Sequence, residues 1–204
     1  MERMQKPNPQ GEKSKFRVLT DTELTIVLEN TKSMGYPFGN FIKVLALTGQ
    51  RLKETSLMEW SELDFITNLW TIPASKTKNS KQHIVPLSKQ VIELIESAPE
   101  RTGFVFSTTD GQKAISNFSK AQKLIRDTAN VHGWSFHDLR RTLATNLSKH
   151  QTSDVVISAI LNHSTRALQG ITSIYNRHNL IPERTKALND YADWIDKLKD
   201  NGQG

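Results

Sequence analysis

Four stretches of the sequence carry side chains whose types and spacing suit work on an anion. Thr48-Gly49-Gln50-Arg51-Leu52-Lys53-Glu54 places an arginine just after a glycine and three residues before a carboxylate. Held by Glu54, that guanidinium is a fixed fork of the shape that takes two phosphate oxygens. The same letters also read as a surface i,i+3 ion pair. Phe136-His137-Asp138-Leu139-Arg140-Arg141-Thr142 puts His137 and Arg140 on one face at the head of a helix, where an imidazole, a bidentate cation and backbone N–H groups could meet one anion. A capping histidine beside a solvated arginine pair fits that spacing equally well. Leu161-Asn162-His163 is followed by Ile174-Tyr175-Asn176-Arg177-His178. Tyr175 is there either a half-buried packing residue or a nucleophile, since a phenol forms aryl phosphates. Lys76, Lys78 and Lys81 crowd one polar turn, which on its own is a solvated hairpin.

The elements that must position these groups are mostly helices. Thr20-Asp21 followed by Glu23 starts a helix that runs to about Asn30. Phe38, Phe41, Ile42, Leu45 and Ala46 fall at helical spacing, which predicts a buried helix over 37–48. After a break at Gly49, Glu54 to Trp60 continues helically. The period then changes: Phe65, Leu69, Trp70 and Ile72 lie in strand-like runs split by the turn signal Thr67-Asn68, and His83-Ile84-Val85-Pro86-Leu87 returns as a strand from the lysine loop. Further helices are predicted at about 88–97, 114–131, 137–149, 153–161 and 183–199. The fold class is therefore mainly α with a small antiparallel β-sheet, a three-stranded meander. Residues 1–17 read as a flexible linker or tail, 18–182 as one folded domain, and 200–204 as a tail. In 183–199, Ala187, Leu188, Tyr191, Ile195 and Leu198 make an amphipathic helix of the same domain, docked on its own core or in a neighbouring copy.

Composition narrows the classes. The chain has 204 residues, 36% hydrophobic and 24% charged, which suits a domain with a buried core rather than a disordered chain. No stretch approaches the roughly 20 apolar residues of a membrane span, and the N-terminus shows no apolar signal-peptide core. Cysteine is absent, which removes disulfides, thiolate zinc sites and cysteine nucleophiles. A net charge of +6 favours a polyanion partner. Residues 183–200 carry four basic and five acidic groups, so that segment suits protein contact better than contact with a polyanion.

Taken together and in order, these pieces resemble the catalytic domain of the tyrosine recombinases, the phage integrase family. The family pattern of Arg, Lys in a β-turn, His-x-x-Arg, His and Tyr is matched by Arg51, Lys78, His137, Arg140, His163 and Tyr175. The Leu-Thr-Gly-x-Arg run at 47–51, Glu54, His-Asp-Leu-Arg-Arg-Thr at 137–142, Ile-Val-Pro-Leu-Ser at 84–88 and Tyr-Asn-Arg-His at 175–178 supply matching flanks over roughly 18–199. The last resembles integrases of temperate phages and genomic islands. The flanks favour Lys78 as the family's lysine, with Lys76 second. The chain departs from the pattern where the family usually has Leu-Gly-His and this sequence has Leu161-Asn162-His163. Family members also carry an N-terminal helical domain that closes over the other face of DNA; nothing before Thr20 has a pattern to form one, so the expectation is a catalytic domain alone.

The resemblance implies site-specific recombination, as in prophage integration and excision. Tyr175 would attack a DNA phosphodiester, leaving a 3′-phosphotyrosyl link and a free 5′-hydroxyl. Arg51 and Arg140 would clamp the non-bridging oxygens, His137 would take the tyrosine proton, Lys78 would protonate the leaving oxygen, and His163 would bond a non-bridging oxygen. Glu54 would orient Arg51, and Lys76, Lys81, Arg141 and Arg177 would contact the DNA backbone. The cations stand where nucleases place metals, so neither a metal, another cofactor nor ATP is implied. The partners implied are double-stranded DNA attachment sites, further copies in a tetrameric synaptic complex, and accessory DNA-bending proteins; no membrane partner is implied. Family habit puts such a protein in the bacterial cytoplasm, on the nucleoid when acting. Three other classes are weighed beside this one: a DNA-binding module inactive as an isolated domain, a type IB topoisomerase-like relaxing enzyme, and a metal-dependent histidine nuclease. Against the last, the histidines at 83, 132, 137, 150, 163 and 178 include no i,i+4 pair.

Overall fold

In a computed structural model, residues 17–163 and 180–201 are described. Eight α-helices and three strands follow in chain order among them: α1 Asp21–Met34, α2 Phe38–Thr48, α3 Leu52–Ser56, β1 Leu63–Asp64, β2 Leu69–Ile72, β3 His83–Pro86, α4 Lys89–Glu96, α5 Phe118–Ala129, α6 Phe136–Lys149, α7 Asp154–Ile160 and α8 Ile181–Asn201. Thr20 caps α1 through a reciprocal capping box with Glu23. Helix α2 is the axis of the domain, packed against α1, α4, α6 and α8. Phe41 on α2 is fully buried and meets the rings of Phe106, Phe118 and Phe136 at 5.5, 5.6 and 6.2 Å. Burying three aromatic rings, with the half-buried Phe118 packed on them, supplies much apolar area, so α2 is the rigid base on which the following loop stands.

The sheet has the expected order β1-β2-β3, antiparallel throughout, with Trp70 opposite Val85 and Ile72 opposite His83. Trp70, Ile72 and Val85 face the core, and the hairpin connecting β2 to β3 carries the lysines. Three expectations need correction. The helix expected from Glu54 to Trp60 stops at Ser56, because the following residues pair across the chain instead: Val105 N–H donates to Met58 O and Trp60 N–H to Gly103 O. Phe65 lies outside β1, since the Asp64 carboxylate accepts from the Ile66 and Thr67 N–H groups and turns the chain there. The helix expected from 114 begins at Phe118, because Ala114 forms a bridge with Ser107 and Asn117 is left-handed at φ 63°.

Helix α8 lies on its own chain, against α1, α2, α6, α7 and β3. Ala187, Leu188, Tyr191 and Ile195 are buried there and Leu198 is half-buried. Among the described residues no helix is long and apolar enough to cross a membrane. The expected tail 1–17 lies outside the described residues except for Arg17, as does most of the tail 200–204.

Candidate active site

Gly49 ends α2 at φ 64°, a left-handed conformation that a Cβ would strain. Space is short as well, since a Cβ there would stand 3.1 Å from Leu161 and 3.2 Å from Leu143. This sharp turn delivers Arg51 to the head of α3. Glu54, 2% exposed, accepts from the Arg51 side chain (Nη1–Oε1, 2.8 Å) and from its backbone N–H (3.2 Å). One carboxylate therefore fixes both the backbone and the guanidinium of Arg51, as the sequence led us to expect.

Helix α6 supplies the next pair. Its cap is Ser135, whose N–H and hydroxyl both donate to Asp138 at 2.8 Å, so His137 is not the capping residue. The Phe136 N–H is bonded to Gln122 and the Asp138 N–H to Ser135 O, which leaves the helix end less to offer an anion than the sequence suggested. Arg141 is drawn to the Asp138 carboxylate at 2.5 Å. Arg140 turns inward, 4% exposed, and donates to Gly49 O at 2.6 Å and to Leu161 O. His137 is exposed one turn away and lines the same open cleft as Arg140, Gln50, Leu52 and Phe118.

The turn after α7 gathers these elements. Ile160 O accepts from Gln50 Nε2 at 3.0 Å and from His83 Nε2 at 3.1 Å, and Leu161 O accepts from Arg140. Asn162 reaches across to Asn79 of the lysine hairpin, and His163 follows, exposed. The three lysines separate clearly. Lys76 is half-buried, with its ammonium on Leu57 O and Glu59 at 2.7 Å and on Glu62, and the Phe104 ring beside it. It is built into the fold. Lys78 and Lys81 are exposed on the hairpin.

The electrostatics join what the hydrogen bonds do not. Burial, then the charge of Arg51, lowers the pKa of Arg140 to about 10, with Glu54 opposing. The His163 imidazole is held below its ordinary value by burial and by the charges of Arg140, Arg51 and His137. His137 is lowered too, by burial first and then by Arg141, Arg140 and Arg51, against Asp138. Arg51, His137, Arg140 and His163 thus share one field, and both imidazoles are biased towards the neutral form. Tyr175 and Arg177 lie outside the described residues.

Four residues of this arrangement were not singled out from the sequence: Gln50, Asn79, His83 and Asn162 as a pairing group. Gln50 and His83 join Ile160 across 110 and 77 residues, separations over which no local spacing can signal. Asn162 was noticed only as a departure from Leu-Gly-His.

The comparisons with known proteins bear on the family and the fold. The integrase of Shigella phage Sf6 is 30% identical over 159 residues, covering 76% of this chain and 41% of that protein. The prophage integrase IntS of Escherichia coli K12 gives the same figures, so the chain spans about two-fifths of the length of these relatives. The catalytic domain of bacteriophage HP1 integrase shares the fold at a TM-score of 0.59 and 20% identity, over 83% of this chain and 92% of that one. XerH site-specific recombinase, bound to its palindromic difH substrate in a post-cleavage complex, does so at 0.59 and 21%, over 78% and 52%. The profile of the phage integrase family matches residues 17–180, and the chain belongs to that family.

Proposed function

We propose that this chain cuts and rejoins DNA at specific sites, with Tyr175 as nucleophile, as the catalytic domain of an integrase. One observation carries the reading: His137 and Arg140 line one cleft, and the charges of Arg51 and Arg140 act on both His137 and His163. Cations that repel one another gain when an anion enters, and they gain more as it takes on further negative charge. A phosphodiester passing to a phosphorane does this. Arg51, fixed by Glu54, and Arg140, fixed by two carbonyls, present rigid donors whose geometry is set before DNA arrives.

The proton balance closes with these groups. The Tyr175 oxygen bonds to phosphorus and its proton passes to neutral His137. The bond from phosphorus to the 5′-oxygen breaks, and that oxygen takes a proton from the Lys78 ammonium. His163 donates to a non-bridging oxygen. One phosphate ester replaces another, so rejoining runs the same steps backwards without an energy donor. Exchange between two duplexes needs four cleavages, which calls for four protomers assembled on DNA attachment sites, in the bacterial cytoplasm where prophage DNA resides. The Tn1549 transposon integrase, which shares the fold and was solved in complex with circular intermediate DNA, supports the choice of DNA as partner.

The test is a nicked duplex carrying candidate attachment sites, incubated with the protein and run on a denaturing gel. A covalent protein–DNA band that disappears in Tyr175→Phe is expected. A band that persists in Tyr175→Phe, or no band from any attachment site, contradicts the proposal.

A further inference from the structure

The hairpin that carries Lys78 is anchored on both sides of that lysine. Before it, Thr77 is 7% exposed, and its hydroxyl oxygen accepts from Lys81 N–H at 3.1 Å and lies 2.8 Å from Lys81 O, closing the loop across its neck. After it, the Asn79 amide donates to Asn162 Oδ1 at 2.9 Å, and Asn162 Nδ2 returns a longer bond of 3.4 Å to Asn79 Oδ1. Asn162 is 3% exposed and left-handed at φ 50°. That conformation explains why glycine is the usual residue between the leucine and the histidine in this family. Apart from glycine, asparagine and aspartate visit it most readily. Of the three, only asparagine has both a donor and an acceptor with which to meet another amide.

Resting on the reading of Lys78 as the proton donor, we propose that Asn162 is a positioning residue: its amide pair with Asn79 locks the Lys78 hairpin to the turn that carries His163. The same turn receives Gln50, next to Arg51, and Arg140. Through Asn162 the proton donor is therefore registered against both phosphate-binding arginines. A chain with glycine here keeps the turn and loses the register. This sequence has converted a backbone requirement into a side-chain link between two parts of the site that lie 83 residues apart.

The test compares covalent-adduct formation on two nicked duplexes, one ordinary and one with sulfur replacing the bridging 5′-oxygen. A thiolate leaves without a proton, so the sulfur substrate does not need the acid. Asn162→Gly preserves the left-handed turn, and Asn79→Ala removes the other partner. Each is expected to slow the ordinary substrate by roughly three- to tenfold, the worth of a hydrogen bond or two, and to leave the sulfur substrate at the wild-type rate. The double variant is expected to be no slower than the worse single one. Equal slowing on both substrates, or none on the ordinary one, overturns the proposal. Lys78→Ala run alongside separates the two ideas. If sulfur fails to relieve Lys78→Ala, the assignment of Lys78 fails; if it relieves Lys78→Ala while the asparagine variants behave as wild type, the amide pair alone fails. Independently of cleavage, amide hydrogen exchange over residues 77–82 should quicken in Asn162→Gly, and unchanged exchange there also overturns the lock.

Discussion

On the floor of the site Arg140 is 4% exposed and gives two N–H groups to the Gly49 and Leu161 carbonyls, whereas at the rim Lys78 stands in solvent on a hairpin held through its neighbours. In the proposed mechanism the floor is folded structure put to chemical use: the same bonds that close α2, α6 and the turn after α7 aim the guanidinium. In the same proposal the rim is chemistry free of folding duties. Between them lies Arg51, half-buried, with its partner Glu54 inside. The contrast teaches that two cations of similar proposed importance should fail in different ways when removed.

Arg140→Ala gives the largest effect, because it strikes both terms at once. Two buried carbonyls lose their donor, which costs about 2–4 kcal/mol, a fall in Tm of roughly 5–15 °C, and cleavage falls below detection. A variant with wild-type Tm would break the comparison. Lys78→Ala should lower cleavage by about 10²–10⁴-fold, the usual worth of a general acid, while stability stays within about 0.5 kcal/mol. Lys76→Met should do the reverse, lowering Tm through the stranded Glu59 and Glu62 carboxylates while slowing cleavage far less than Lys78→Ala. If Lys76→Met proved the slower enzyme, the two lysines would have to exchange roles.

Smaller still is the effect of pH. His137 is held below the ordinary imidazole value of about 6.5, and in its proposed role as proton acceptor it must be neutral. The cleavage rate at low DNA concentration should therefore hold at pH 6.5 and fall about tenfold per unit only once pH drops through the lowered value. Arg141→Gln, which removes a charge that depresses His137, should move that limb to higher pH. For stability the sign is the same. An imidazole whose folded pKa is lowered takes its proton more readily when unfolded, so His137 and His163 both weaken the fold as pH falls through that range. A limb at or above pH 6.5 would contradict the field described for the site.

Much of the positioning was legible in the letters. Helical spacing placed α2 within a residue of its observed start, Thr20 and Glu23 announced the first cap, and Thr67-Asn68 marked a turn in which Asn68 is left-handed at φ 56°. Glu54 was read as the partner of Arg51 and is. The parts that escaped were decided at a distance. The helix over 54–60 lost to a pairing with residues 103–105, and Lys76 looked like Lys78 until Glu59 and Glu62 claimed it. Asn162 could be seen as unusual, but its use depends on Asn79, and spacing carries no trace of such a pair.

The central claim is that Arg51 and Arg140 act on the charge of the scissile phosphate. It is met most directly by replacing one non-bridging oxygen with methyl, so that the scissile group is a neutral methylphosphonate, and comparing the wild type with Arg51→Ala. The account predicts that Arg51→Ala is slower by about 10²–10³-fold on the ordinary phosphodiester and regains most of the wild-type rate on the methylphosphonate, where there is less charge to hold. Equal slowing on both substrates would contradict it and would leave Arg51 a structural cation of the α2–α3 turn.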